Sequence, residues 1–186
     1  MLLDALRRAP ADAVALVDGY RTVTYGELPG LLQHELDWLR ASGAERHALL
    51  AANGVPWAIA DLALHAGRLF AVPLPGSFTA AQMSHAIDDA GIDAVLTDDR
   101  SHAQSLLAGW RHDGCSPVSG LHRYRRQLDA ALRPVAPPGT CKVTYTSGST
   151  SNPKGVCLAA ATLDAIAAAL AAATTSLPIS RHLCVL

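Results

Sequence analysis

Between residues 47 and 97, apolar runs alternate with segments whose apolar residues recur every three or four positions. HALLAA (47–52), LFAVPL (69–74) and AVLT (94–97) are apolar nearly throughout, as strands buried on both faces are. PWAIADLALHAG (56–67) and TAAQMSHAIDDAG (79–91) have helical spacing, and each closes on a glycine. The second sets Met83, Ile87 and Ala90 on one face. Strands alternating with helices in this way predict an α/β fold: a mostly parallel sheet with helices on both faces. Before it, ALVDGYRTVTY holds two short β-type runs around Asp18-Gly19, a dipeptide suited to a hairpin turn. Leu28, Leu32, Leu36 and Leu39 then predict a helix that stops near Gly43.

After residue 97 a helix carrying Leu106, Leu107 and Trp110 is expected. HRYRRQLDAAL (122–132) fits an amphipathic helix with Tyr124, Leu128 and Leu132 inward. Its arginines, Arg123, Arg125 and Arg126, then form a solvated face, with a phosphate grip as the alternative. PVAPPG (134–139) is a connector, because proline removes amide donors and fixes φ. CKVTYT (141–146) predicts a strand, the alanine-rich ATLDAIAAALAAA (161–173) a helix, and HLCVL (182–186) one more buried strand. There is no internal repeat.

A chain of 186 residues, 50% hydrophobic and 17% charged, suits one folded domain and argues against disorder. A net charge of −1 gives no electrostatic case for nucleic acid or an acidic membrane surface. Cys115, Cys141, Cys157 and Cys184 are scattered, which suits reduced thiols in a cytoplasmic protein better than a disulfide framework. The start, MLLDALRRAPADA, is too charged for a signal peptide, and no run is long and apolar enough to predict a membrane span.

The chemistry concentrates in TYTSGSTSNPKGV (144–156). Placed between a strand and a helix, such a loop surrounds a polyphosphate with backbone N–H groups and hydroxyls. Gly148 permits close approach, and the hydroxyls of Thr146, Ser147, Ser149 and Thr150 donate to phosphate oxygens. Lys154 adds a mobile positive charge beside the stiffening Pro153. A flexible linker is the competing reading, and it explains neither the Pro-Lys-Gly ending nor the apolar flanks.

This stretch resembles the phosphate-binding signature of the adenylate-forming enzymes, Tyr-Thr-Ser-Gly-Ser-Thr-Gly-x-Pro-Lys-Gly-Val. That family includes acyl-CoA synthetases, adenylation domains of peptide synthetases, and luciferases. VTYGEL (23–28) and the run from 61 to 99 are similar to further family segments. The resemblance implies that ATP and a small-molecule carboxylic acid give an acyl-adenylate and pyrophosphate. The acyl group then passes to a thiol, of coenzyme A or of phosphopantetheine on an acyl carrier protein. It implies Mg2+ as the partner of ATP. It also implies that Thr146, Ser147, Gly148, Ser149, Thr150 and Lys154 hold the β- and γ-phosphates. Ser151 stands where the family has glycine, at a cost of about 1–2 kcal/mol if the left-handed region is needed there. The VPLPGSF region resembles acyl-CoA synthetases, with fatty-acid activation as the implied process class; a peptide-synthetase adenylation domain is the alternative, and a non-catalytic phosphate-binding module a third reading.

In the family, the nucleoside site, the acyl pocket and the catalytic lysine of a C-terminal domain follow this point. Residues 1–186 are therefore expected to form an incomplete N-terminal subdomain that is inactive alone and self-associates through an uncovered sheet edge after HLCVL. No catalytic residue and no metal ligand is identifiable in it. The eight histidines lack metal-ligand spacing and suit isolated roles. Cys141 and Cys157 suit packing rather than redox chemistry, and Asp98-Asp99-Arg100 suits a strand-end turn.

Overall fold

The computed structural model describes residues 6, 8–129, 131, 133–146 and 152–177. An N-terminal hairpin, β1 (Val14–Val17) and β2 (Thr22–Thr24), turns at Asp18, whose carboxylate accepts from the Tyr20 and Arg21 amides at 2.8 and 2.7 Å. Its other oxygen accepts from the Val55 amide at 2.8 Å and so docks the hairpin on a later helix.

Then follow α1 (Leu28–Ala41), β3 (Arg46–Leu50), α2 (Val55–Ala66), β4 (Phe70–Pro73), α3 (Ala80–Asp89), β5 (Ala94–Thr97) and α4 (Arg100–Leu106). The chain continues through β6 (Arg111–Cys115), β7 (His122–Arg125), β8 (Thr140–Thr146), β9 (Lys154–Ala159) and α5 (Ala160–Thr174). The main sheet runs β6-β7-β5-β3-β4-β8-β9. Its centre, β5-β3-β4-β8, is parallel; β7, β6 and β9 join antiparallel at the two sides.

Both faces are covered, as the apolar runs predict. Leu49 and Leu96 pack with Leu28, Leu32, Leu36 and Leu39 of α1 and Ile59 and Leu64 of α2. On the other face Ala48, Val72 and Val95 meet Met83 and Ile87 of α3 and Ala103 of α4. Helices α1 and α2 touch where Gly67 ends α2. A Cβ there would stand 2.3 Å from Leu36 Cδ1, a side chain held in the core. Gly67→Ala is thus expected to destabilise the fold by about 1–3 kcal/mol, the usual cost of overpacking, read as a lower urea midpoint at unchanged m-value.

The expected helix over 122–132 is corrected: residues 122–125 form β7, paired with β5 and β6. Alternation decides it, since Tyr124 faces the α3 core while Arg123 faces α1. Both readings of the arginines fall with the helix. Arg123 is buried over the Trp38 ring at 4.0 Å, bonded to Asp113 at 3.0 Å and to the Trp38 carbonyl at 2.9 Å. Arg125 donates to the Ser42 carbonyl, and Arg126 pairs with Asp88 at 2.7 Å. These side chains fasten strands to helix ends.

The sequence does not foretell β6, whose RHDGC is polar and bulged beside Gly114. The turn between β6 and β7 is pinned by Glu35, a fully buried carboxylate of α1 that accepts from Ser116 and, at 3.0 Å, from Ser119. Trp110 lies beyond the end of α4, packed on the α3-side core. The strand expected at 182–186 lies outside the described residues, and with it the edge expected to self-associate. Among the described residues no helix is long and apolar enough to cross a membrane.

Candidate phosphate-binding site

Strand β3 leads into α2 on one face of the sheet, while β4 leads into α3 on the other. The chain therefore diverges at the carboxyl ends of these neighbouring strands, where α/β sheets leave a crevice for ligands. A cleft of about 350 Å³ opens there, lined among others by Leu50, Asn53, Gly76, Met83, Asp98 and His102. Strand β8 runs parallel to β4, so it delivers Thr146 to the same carboxyl edge.

The loop after Thr146 closes a hairpin. β9 returns antiparallel along β8, with Thr146 opposite Lys154, Tyr145 opposite Gly155 and Thr144 opposite Val156. This corrects the expected passage from loop directly to helix: α5 begins only at Ala160, after a whole strand. Pro153 has no N–H to pair, and KGVCLA, with Val156, Cys157 and Leu158 at its centre, extends along β8. The N-terminus of a helix is thus not at the loop: α5 starts one strand later, at Ala160.

Of the six residues assigned to phosphate, the structure places Thr146 and Lys154 across from each other, both exposed. Ser147, Gly148, Ser149 and Thr150 lie outside the described residues, as does Ser151. Among the described residues Lys154 has no ion-pair partner. Lys142, earlier on β8, is by contrast held by Asp61 at 2.7 Å.

Three contacts fix the hairpin where the loop leaves it, and none has a signal in the local sequence. The Tyr145 hydroxyl donates to Asp89 at 2.6 Å. Burial first, then the bond and negative charge of Asp89, push the phenol above its usual range, so it stays a donor. His85 Nε2 lies 3.2 Å from the Pro153 carbonyl, a bond that requires the proton on Nε2. Gly155 is needed opposite the tyrosine ring: a Cβ would stand 2.9 Å from Val143 Cγ1 and 3.1 Å from Tyr145 Cζ.

The other polar groups keep structural roles. Asp98 accepts from the Ala52 amide and Asp99 caps α4 through the His102 amide, each at 2.9 Å, as a strand-end turn requires. Cys141 is buried, and burial raises its thiol pKa, whereas Cys157 is exposed, against the packing expected of it; Cys115, Cys141 and Cys157 are unpaired. Among the described residues no cluster of three or more His, Cys, Asp or Glu is placed to hold a metal ion.

Comparison with known proteins places the chain in a family and matches its fold. A profile of the family described as AMP-binding enzyme matches residues 2–186. Malpinin synthetase of Mortierella alpina is 31% identical over 153 residues, 78% of this chain and 2% of its own length. Feruloyl-CoA synthase of an Amycolatopsis species is 31% identical over 160 residues, 81% of this chain and 31% of its own. A malonyl-CoA ligase solved with methylmalonyl-CoA and AMP bound superposes with a TM-score of 0.65 at 29% identity, covering 89% of this chain and 33% of that one. The chain thus spans about a third of these coenzyme A ligases, and the matched fold is that of their N-terminal subdomain.

Proposed function

This chain belongs to the AMP-binding enzymes, and from that premise we propose that it supplies the phosphate-holding part of an ATP-dependent carboxylate-activating ligase. In that reaction a carboxylate oxygen of a small acid attacks the α-phosphorus of ATP. The bond from that phosphorus to its bridging oxygen breaks, and pyrophosphate leaves. A thiol sulfur then attacks the acyl carbon, its proton is lost, and AMP departs with the former carboxylate oxygen. The observation that carries this reading is the pairing of exposed Thr146 with Lys154, which has no ion-pair partner among the described residues, at the carboxyl edge of the sheet. In this reading they act with Ser147, Gly148, Ser149 and Thr150 on the β- and γ-phosphates. Donors fixed where charge builds on the leaving group lower the barrier.

The family uses ATP with Mg2+, which neutralises phosphate charge. The described residues contain no carboxylate cluster to hold that ion, so no step is assigned to it. Feruloyl-CoA synthase and the malonyl-CoA ligase support coenzyme A as the acceptor thiol. The likeness to malpinin synthetase favours a second reading. In it the chain belongs to a peptide-synthetase adenylation unit, with the phosphopantetheine of a carrier protein as acceptor. Unpaired thiols and ATP as substrate support a cytoplasmic setting for either.

Carboxylate-dependent exchange of labelled pyrophosphate into ATP is the test. The complete ligase should show it with one class of acid. The 186 residues alone should show none, since they span about a third of the coenzyme A ligases they resemble. Exchange by the isolated chain would refute the assignment of the remaining machinery to other segments. Absence of exchange in the complete protein, across aryl, dicarboxylic, fatty and amino acids, would refute the ligase.

A further inference from the structure

We propose that helix α3 sets the geometry of the phosphate contact, with His85 and Asp89 as positioning residues for Lys154 and Thr146. The proposal rests on the phosphate reading above. His85 and Asp89 are four residues apart and lie one turn from each other on one face of α3. Asp89 holds Tyr145, the residue just before Thr146, at 2.6 Å. His85 holds the carbonyl of Pro153, the residue just before Lys154, at 3.2 Å. Each of the two groups offered to phosphate therefore follows directly on a residue tied to the same helix, and the two are partners across the hairpin.

The helix is a firm anchor. Its first turn is closed by a reciprocal capping box between Thr79 and Gln82, and Met83, Ala86 and Ile87 are buried. The tyrosine ring is seated from the opposite strand by Gly155, which leaves no atom in its place. The proline offers a ligand no amide, and its one backbone acceptor is already used by His85. Donors held in place before the ligand arrives lose less freedom when it binds. The clamp thus acts through Thr146 and Lys154; neither His85 nor Asp89 need touch phosphate.

The test titrates inorganic tripolyphosphate into the isotopically labelled chain and follows the Thr146 and Lys154 amides by NMR. Tyr145→Phe and His85→Ala should each weaken binding about two- to tenfold, the effect of one lost hydrogen bond. Asp89→Asn keeps an acceptor oxygen and His85→Gln keeps an N–H donor, so both should stay near the parent, which mere packing roles would not require. Lys154→Ala is the control for the phosphate reading and should weaken binding at least tenfold. Parent-like binding by Tyr145→Phe and His85→Ala, beside a loss in Lys154→Ala, overturns the clamp and leaves the phosphate reading standing. Equal losses in the conservative and the deleting variants also overturn it. No binding by the parent, or parent-like binding by Lys154→Ala, overturns the phosphate reading and the clamp together.

Discussion

Replacing Lys154 with alanine is expected to slow acyl-adenylate formation roughly ten- to a hundredfold in the complete ligase that the proposed function requires. A hydrogen bond from a charged donor to phosphate contributes about 1.5–3 kcal/mol, and that range converts to this loss of rate. Pyrophosphate carries more negative charge as it leaves than it did within ATP. The contact tightens toward the transition state, and the loss should fall on turnover as well as on ATP affinity. Affinity for the acid should not change. Folding is not at risk in this variant: Lys154 is exposed at the loop end of the β8–β9 hairpin and packs into neither core. Adenylation kinetics at the parent level in folded Lys154→Ala protein would make the loop a connector.

That the lysine could be proposed from sequence, while its surroundings could not, has a physical basis. The stretch 144–156 is one contiguous motif whose composition states its chemistry, so Thr146 and Lys154 needed no long-range information. Tyr145 and Asp89 are 56 residues apart, and His85 and Pro153 are 68. Nothing in a helix reading of 79–91 marks His85 or Asp89 as different from any solvated residue. The same division runs through the fold. The parallel centre was legible because strands buried on both faces must be apolar, and their helices must show a periodic stripe. Strand β7 was not, because Arg123 and Arg125 find partners in Asp113 of the neighbouring strand and in the Trp38 and Ser42 carbonyls, more than eighty residues back in the chain. A Tyr124–Leu128–Leu132 spacing then imitates a helix. Strand β9 was hidden by the length of the motif, since a loop ending in lysine suggests a helix at once when the intervening hairpin arm is short and exposed.

His47 was read as one of several isolated histidines, and its position makes it a residue through which acid should act strongly on this fold. It lies in β3 with small Ala71 and Ala94 beside it in the neighbouring strands, fully buried. Neither ring nitrogen meets a partner at bonding geometry among the described residues, the nearby Phe70 backbone being too poorly placed to count. Burial pushes its pKa down to about 4, helped by Arg123 and Arg125 and opposed by Asp93. The folded state therefore refuses a proton that the unfolded chain takes up near pH 6.5. The stabilisation is complete above about pH 6.5 and is lost as pH falls toward about 4. Across that interval the loss amounts to about 3 kcal/mol. In His47→Leu no bonded group is left behind and no proton is taken up at this position, so stability at about pH 7 should stay within about 1.5 kcal/mol of the parent. Urea unfolding at about pH 7 and about pH 4 should then show the variant gaining about 3 kcal/mol on the parent at the acid end, because the carboxylates common to both cancel in the difference. Parallel stability curves for the two proteins would mean that His47 titrates in the folded state as it does in the unfolded one, and that its burial in β3 is not dry.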